Sequence, residues 1–219
     1  PGMRRVAIAN RTPEHAERAL REGGFRNWVR VSSSQQAEES IARGVPVLTD
    51  DPLVLTACPS IDVLLEVTGT VEAAAGVVLD AFSHGKHVVL VNAELDSLIG
   101  PILKVKADEA GVVLTHTDGD EPGVAMTLLR YLRTLGLHVV AAGNIKGMVD
   151  YYRNPDTQKA FAEKNDQDVK KVTSFADSTK LSMEATVLAN ATGFQVGRRG
   201  MHGPACGYVR EVANLLPAE

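Results

Sequence analysis

The chain has 219 residues and a mass of 23.4 kDa, the size of one large domain or two small ones. Hydrophobic residues make up 44% and charged residues 23%, which excludes wholesale disorder. Lys and Arg number 23 against 27 Asp and Glu, a net charge of -4, so no cationic excess exists to neutralise nucleic-acid phosphates. No apolar run approaches the roughly 20 residues of a membrane span, and no N-terminal block has the charged, apolar and cleavage regions of a signal peptide. Cys58 and Cys206 are too few for a disulfide framework and lack metal-ligand spacing. The expectation is a cytoplasmic chain acting on a small molecule, with neither nucleic acid nor membrane as partner. A homo-oligomer is the expected assembly.

Short apolar runs alternate with helix-like stretches through the first half. Val6–Ala9 reads as a buried strand ending at Asn10-Arg11-Thr12-Pro13. Thr12 is placed to cap a helix with Pro13 in its first turn, running to Arg21 or Glu22 and stopping at Gly23-Gly24. A second helix is expected over Ser34 to Arg43. Val45-Pro46-Val47-Leu48 follows as a short strand, and its proline suggests a sheet edge. The run Ile61–Val67 reads as a strand broken by Thr68-Gly69-Thr70, with a helix over Val71 to His84. Val88–Val91 is apolar throughout and predicts a central parallel strand. Ile99 to Ala110 reads as a helix and Val112–Leu114 as a strand. Alternation of this kind with short links means a parallel sheet with crossover helices.

The rhythm changes after Gly119, which puts a soft boundary near residue 120. Val124 to Leu135 predicts a helix and Val139–Ala142 a strand. The polar stretch Asn154 to Lys171 reads as a solvated helix and loop. Leu181 to Ala191 has a strong helical pattern, and the glycine-rich tail from Gly193 to Gly207 reads as loop.

Open parallel sheets bind ligands at the carboxyl ends of their strands. Asn10-Arg11-Thr12 follows the first strand. In a dinucleotide fold an acidic residue there bonds the ribose of NAD, whereas a neutral residue followed by Arg suits the 2′-phosphate of NADP. A plain strand-to-helix turn is the alternative. Thr68, Gly69 and Thr70 offer hydroxyls, a close backbone approach and a helix start to an anion. Asn92 and Glu94 put an amide and a carboxylate after the apolar strand. The Gly-x-Gly-x-x-Gly loop that cradles a pyrophosphate is missing from the sequence. The fold class that results is α/β: a Rossmann-like parallel sheet lacking its usual first strand, a partial dinucleotide-binding domain over residues 1–120, followed by a smaller α+β catalytic region over 121–219.

In that second region Asp118, Asp120 and Glu121 supply three carboxylates within four residues. They suit Mg²⁺ or Mn²⁺, or the N-terminus of a helix at Pro122; Asp120 and Glu121 are also candidates for substrate contact. Lys146 stands just past a predicted strand, placed to hold a phosphate or carboxylate or to act as general acid once burial lowers its pKa. Asn144 beside it is a candidate to orient a substrate hydroxyl. Lys180 and Glu184 lie four apart on one helix face, either a surface pair or an anion-binding lysine with a proton-moving carboxylate. Arg198 and Arg199 offer two guanidinium forks to a substrate phosphate, or form part of a solvated loop. His116 reads as a satisfied strand-end histidine. Neither cysteine has a histidine close in sequence, so a thiol nucleophile is not expected.

The run Gly85-Lys86-His87-Val88-Val89-Leu90-Val91-Asn92-Ala93-Glu94 resembles the homoserine dehydrogenase family, where Gly-Lys-His-Val-Val leads to a polar turn beside the nicotinamide. Glu121-Pro122-Gly123-Val124 is similar to that family's helix start, and Asn144-Ile145-Lys146-Gly147 to its Asn-Gly-Thr segment. With the run from His116 to Gly123, the whole chain resembles the homoserine-dehydrogenase-like group that carries a C-terminal SAF domain and includes 1-deoxy-D-xylulose-5-phosphate reductoisomerase-like enzymes. This resemblance implies NADP(H) as cofactor and reduction of a small carbonyl substrate, possible isomerisation of its skeleton, and a place in isoprenoid-precursor synthesis. It also implies a chain truncated at both ends, without the glycine loop and the SAF domain. The family's catalytic helix carries Asp and, four residues on, Lys; this chain has Lys180 and Glu184, so a phosphorylated sugar-like substrate fits better than homoserine. A homoserine-dehydrogenase-type reaction is the runner-up. The rival from another class is a non-catalytic fragment or partner subunit that pairs through an exposed sheet edge.

Overall fold

In a computed structural model, residues 2–216 are described. The chain divides into two compact units, Pro1–Leu95 with Pro101–Thr115, and Asp96–Gly100 with His116–Glu219.

The first unit alternates strand and helix. Its elements are β1 (Ala7–Ala9), α1 (Pro13–Glu22), β2 (Val29–Arg30), α2 (Ser34–Ala42), β3 (Val47–Thr49), α3 (Leu53–Thr56), β4 (Val63–Glu66), α4 (Glu72–Ser83), β5 (His87–Leu90), α5 (Ala93–Glu109) and β6 (Leu114–His116), the last two shared with the second unit. The strands form two sheets, ordered β1-β3-β2 and β4-β5-β6. Both neighbours of β3 run parallel to it, with Ala7 and Val29 opposite Val47. β4 and β5 are parallel with Leu64 opposite Val88.

Side chains alternate across a strand, and that alternation builds the core of the first sheet. Val47 turns to one face, against Ala37, Ile41, Val54, Cys58 and Ile61. Leu48 turns to the other, against Ala16 and Leu20. β1 repeats the pattern, with Ala7 and Ala9 on the first face and Ile8 on the second. Helices cover both faces, as a parallel sheet requires.

β3 is therefore central, which corrects the edge position expected from Pro46. The proline lies just before the strand and offers only its carbonyl, which accepts the Val29 N–H at 3.0 Å. Its missing N–H is asked for by no ladder position. The start of α5, at Ala93, also differs from the expected Ile99. The Asn92 carboxamide oxygen accepts the Leu95 N–H at 3.1 Å, so the cap sets the helix start and Pro101 falls inside the helix. Ser33 plays the same part for α2, accepting the Gln36 N–H at 3.3 Å. Ser33→Ala is expected to lower stability by about 1 kcal/mol in urea unfolding. Thr12 occupies the cap position of α1 without a side-chain bond; instead Asn10 Oδ1 accepts the Thr12 N–H at 2.8 Å.

The second unit is built on α6 (Glu121–Thr134), α7 (Pro155–Lys164), α8 (Val169–Ala176) and α9 (Thr179–Thr192), with a short helical end formed by a 3-10 turn, Val209–Glu211, and α10 (Val212–Leu215). Leu129 of α6, Ala162 of α7, Val172 and Ala176 of α8 and Leu181, Val187 and Leu188 of α9 are buried. The polar stretch 154–171 holds α7 and the start of α8. A capping box opens α7: Asn154 Oδ1 accepts the Thr157 N–H and Thr157 Oγ1 accepts the Asn154 N–H, at 3.1 and 3.0 Å. The strand expected over Val139–Ala142 is absent. Residues 135–153 carry no helix or strand, and Val140 is 85% exposed. Branched residues favour a strand only where a neighbour pairs with it, and none does here. Among the described residues no helix is long and apolar enough to cross a membrane.

Candidate functional site

In the first unit the strand ends carry the expected polar turns, joined by a residue hidden in an apolar run. Glu66, 5% exposed at the end of β4, accepts the Thr68 N–H at 2.8 Å and an N–H of the Asn92 amide at 2.6 Å. Asn92 also donates to the Thr70 carbonyl at 2.6 Å. The Thr68 and Thr70 hydroxyls are 2.8 Å apart. Thr68, Thr70 and Asn92 thus form one bonded turn. Gly69 stands at φ +67° with a left-handed backbone, a conformation that disfavours other residues. Glu94 lies half-buried in the first turn of α5. At the end of β1 the Asn10 amide shapes the turn, while the Asn10 backbone N–H donates to the Thr49 carbonyl at 3.0 Å. Arg11 is exposed.

The second unit gathers charge. Asp120 and Glu121 stand where the chain enters α6, and Glu184 lies in the second turn of α9. One ligand oxygen from each falls within 4.8 Å of the others, a spacing that suits a metal ion. Lys146 Nζ donates to Glu121 Oε1 at 2.6 Å and stands 5.9 Å from the centre of the Phe175 ring. Asn144 Nδ2 donates to Glu184 Oε2 at 2.5 Å. Glu184 is 2% exposed, and its other oxygen, Oε1, has no hydrogen-bond partner. A buried carboxylate oxygen left unbonded is costly. Glu121, Asn144 and Glu184 also line a small cavity of about 10 Å³, room for one water or one ion. The donor set and the orphaned oxygen both fit a hard divalent cation, which prefers oxygen ligands.

His116 completes the group. Its Nδ1 lies 3.0 Å from Asp96 Oδ2 and its Nε2 3.0 Å from Asp120 Oδ2. Both ring nitrogens face carboxylate oxygens, an arrangement that favours the doubly protonated, positively charged ring. Burial opposes that charge, but the bonds to Asp96 and Asp120 outweigh it and raise the pKa. Burial would raise Asp120, yet hydrogen bonding with Glu121 and His116 holds its carboxyl below the ordinary value.

Lys146 departs from the expectation of a lowered pKa. The bond to Glu121 outweighs burial and, with the charges of Glu121, Glu184 and Asp120, holds its pKa above the ordinary lysine value. It is a fixed ammonium. Glu184 is pushed up, chiefly by burial and then by the Glu121 charge; Asn144, Lys146 and Lys180 pull it back.

Asp118, Lys180, Arg198 and Arg199 stand outside the group of three carboxylates. Asp118 is exposed and lies outside the ligand group; its place is taken by Glu184, which arrives from a distant helix. Arg198 and Arg199 are exposed in the loop after α9, where Arg198 Nε donates to the Met201 carbonyl at 2.8 Å. Lys180 is half-buried one turn before Glu184 and acts on it through its charge. Because Glu184 is buried, the two are not a surface pair. Cys58 is buried, which with a bond to Glu38 pushes its thiol up to about 11, unsuited to a nucleophile.

Two family models match successive parts of the chain. Residues 6–111 match the family model of the homoserine dehydrogenase NAD-binding domain, and residues 119–219 match that of the catalytic domain of oxidoreductase DRL. The first half is thus similar to an NAD-binding domain and the second to an oxidoreductase catalytic domain. The homoserine dehydrogenase of Pseudomonas aeruginosa is 31% identical over 100 residues, 46% of this chain and 23% of that protein. The chain therefore spans under a quarter of the length of this curated relative. Among solved structures, a homoserine dehydrogenase from Thiobacillus denitrificans aligns at 24% identity and a TM-score of 0.39, covering 59% of this chain and 33% of that one. DOX-P reductoisomerase in complex with magnesium aligns at 14% identity and a TM-score of 0.46, covering 86% and 50%.

Proposed function

We propose that the chain reduces a small, phosphorylated carbonyl substrate with NADPH, with 1-deoxy-D-xylulose 5-phosphate reduction and isomerisation as the nearest named activity. The observation that carries this reading is the cluster of Lys146, Asp120, Glu121 and Glu184, which lies within the half that matches an oxidoreductase catalytic domain.

When bound, the reduced nicotinamide supplies a hydride to a carbonyl carbon. Negative charge then grows on the carbonyl oxygen. The proposed role of the Lys146 ammonium, held protonated by Glu121, is to hydrogen-bond that oxygen as the charge develops. Asp120, Glu121 and Glu184 would hold a Mg²⁺ or Mn²⁺ ion, which supplies a Lewis acid toward substrate oxygens. Asn144 keeps Glu184 in place through its amide. Arg198 and Arg199 are the proposed contacts to the substrate phosphate, with Lys180 as a further cation toward it. Asn10, Arg11 and Thr12 are the proposed contacts to the 2′-phosphate, and Thr68, Gly69, Thr70, Asn92 and Glu94 those to the rest of the cofactor.

Incubating the purified chain with NADPH, Mn²⁺ and 1-deoxy-D-xylulose 5-phosphate tests this reading. Oxidation of NADPH with formation of a reduced sugar phosphate supports it, and turnover of aspartate semialdehyde instead moves the assignment to the homoserine-dehydrogenase type. Cofactor choice has its own test. Arg11→Ala is expected to weaken NADPH binding about tenfold, with little effect on NADH, because the guanidinium fork matches a phosphate. Equal loss of both in fluorescence titration removes Arg11 from that role.

A second reading is favoured by the sheet order. β1 and β4 are the outer strands of their sheets, and Val63 and Leu65 of β4 are 43% and 63% exposed. Unpaired edges of this kind accept a strand from another chain. In that case the chain is a partner subunit, and a folded chain that binds neither NADPH nor NADH is the result that favours it.

A further inference from the structure

His116 has no part in the proposed mechanism, yet it is bonded on both sides. We propose that His116 is a positioning residue: it ties the Asp120 carboxylate to Asp96 of α5 and so fixes the direction in which Asp120 faces Glu121 and Glu184. The inference rests on the reading of those three carboxylates as a cation site.

Several observations converge on it. His116 Nε2 and Nδ1 meet Asp120 and Asp96 at 3.0 Å each, and its side chain is only 9% exposed, so the ring has no freedom to turn away. Asp120 stands at the cap position of α6, yet its side chain makes no capping bond to that helix. The carboxylate at the cap position of α6 thus meets the imidazole, where no bond to the N2 or N3 backbone holds it. Asp96 in turn occupies space that a glycine leaves open. A Cβ on Gly100, one turn further along α5, would collide with the Asp96 carboxylate. The chain from Gly100 through Asp96 and His116 to Asp120 is one connected support for the first member of the ligand group.

Such support is worth much in a cation site. Carboxylate ligands bind best when their lone pairs already converge, and loss of a supporting hydrogen bond leaves the ligand to sample unproductive rotamers. The two ring nitrogens have separate tasks here. Nε2 holds Asp120, and Nδ1 anchors the ring to Asp96. A side chain that keeps only the Nε2 bond will keep most of the effect, and one that keeps only the Nδ1 bond will not.

Mn²⁺ titration of the full chain, followed by electron paramagnetic resonance of the free ion, tests this. In His116→Phe the affinity is expected to fall about 10–100-fold. Glutamine places its amide near the Nε2 position and asparagine near the Nδ1 position, so His116→Gln is expected to stay within about threefold of the parent and His116→Asn to fall with the phenylalanine variant. A purely structural role would affect the two amide variants alike. Equal affinities in His116→Gln and His116→Asn, or parental affinity in His116→Phe, overturn the inference. The amide pair decides the matter even where circular dichroism shows the phenylalanine variant unfolded. Failure of the underlying reading looks different: the parent chain then binds no Mn²⁺, or Glu184→Gln binds it as well as the parent does. Binding that is lost in Glu184→Gln but kept in His116→Asn sinks the His116 role alone.

Discussion

Lys146→Met is expected to lower kcat/KM for NADPH-dependent reduction of the sugar phosphate by about a hundred- to a thousandfold, the effect of deleting one preorganised donor to a developing oxyanion. Lys146 is held above the ordinary lysine value by its bond to Glu121 and by the charges of two further carboxylates, so it is a poor proton shuttle at neutral pH and a constant positive charge. A constant charge acts on the transition state, where the oxygen is most negative, more than on the neutral carbonyl. The loss should therefore fall mainly on kcat, with KM and NADPH affinity little changed. Methionine keeps the length and apolar stem, and the lost pair with Glu121 is partly solvent-exposed on both sides, so the fold should survive. Steady-state kinetics beside an NADPH fluorescence titration measure both quantities. A rise in KM alone would recast Lys146 as a ground-state contact to the substrate.

Glu184→Gln should separate binding from stability by moving them in opposite directions. The introduced amide keeps an oxygen to accept the bond from Asn144 but carries no charge, so Mn²⁺ affinity is expected to fall about a hundredfold as one anionic ligand is removed. Stability without metal should rise by about 1–2 kcal/mol at neutral pH, because a buried charge with an unbonded oxygen is replaced by a neutral amide. The pH dependence has a definite sign. Glu184 is raised above its ordinary 4.5 in the folded chain, so between that value and its folded pKa the native state holds a proton that the unfolded chain has released. The native state suffers no disadvantage below about pH 4.5; the disadvantage grows as pH rises above that value and is complete once the folded pKa is passed. The gap in urea midpoint between the variant and the parent should accordingly be small near the ordinary value of 4.5 and widen toward neutral pH. A gap that narrows over this range would mean that Glu184 is stabilised as a carboxylate by its surroundings, and the orphaned oxygen would then need another explanation.

Much of the first half is legible in the sequence because its signals are local. Val88 and Leu90 are 1% exposed in the middle of their sheet, as an unbroken apolar run at strand length predicts. The helix stops at Gly23 and Gly85 coincide with backbone turns. Sequence and structure part where a local signal points two ways. Pro46 breaks a ladder only if it stands within it, and Val139–Ala142 has strand composition without a partner strand. Glu66 gives no signal of its own inside an apolar run, and only its bonds to Thr68 and Asn92 show that it organises the turn.

The same division runs through the second half. Asp120, Glu121 and Lys146 stand out by residue type and by their places beside a helix start and a polar turn, since those cues depend on near neighbours in the chain. What folding alone decides is the company they keep. Glu184, 63 residues beyond Glu121 in the numbering, replaces the adjacent Asp118 as third carboxylate, and Asp96 arrives from α5 to hold His116. Spacing along a chain sets only which side chains share a helix face or a turn. Which carboxylates are buried together, and hence which pKa values move and which oxygen is left unbonded, depends on how distant segments of α5, α6 and α9 meet within the second unit.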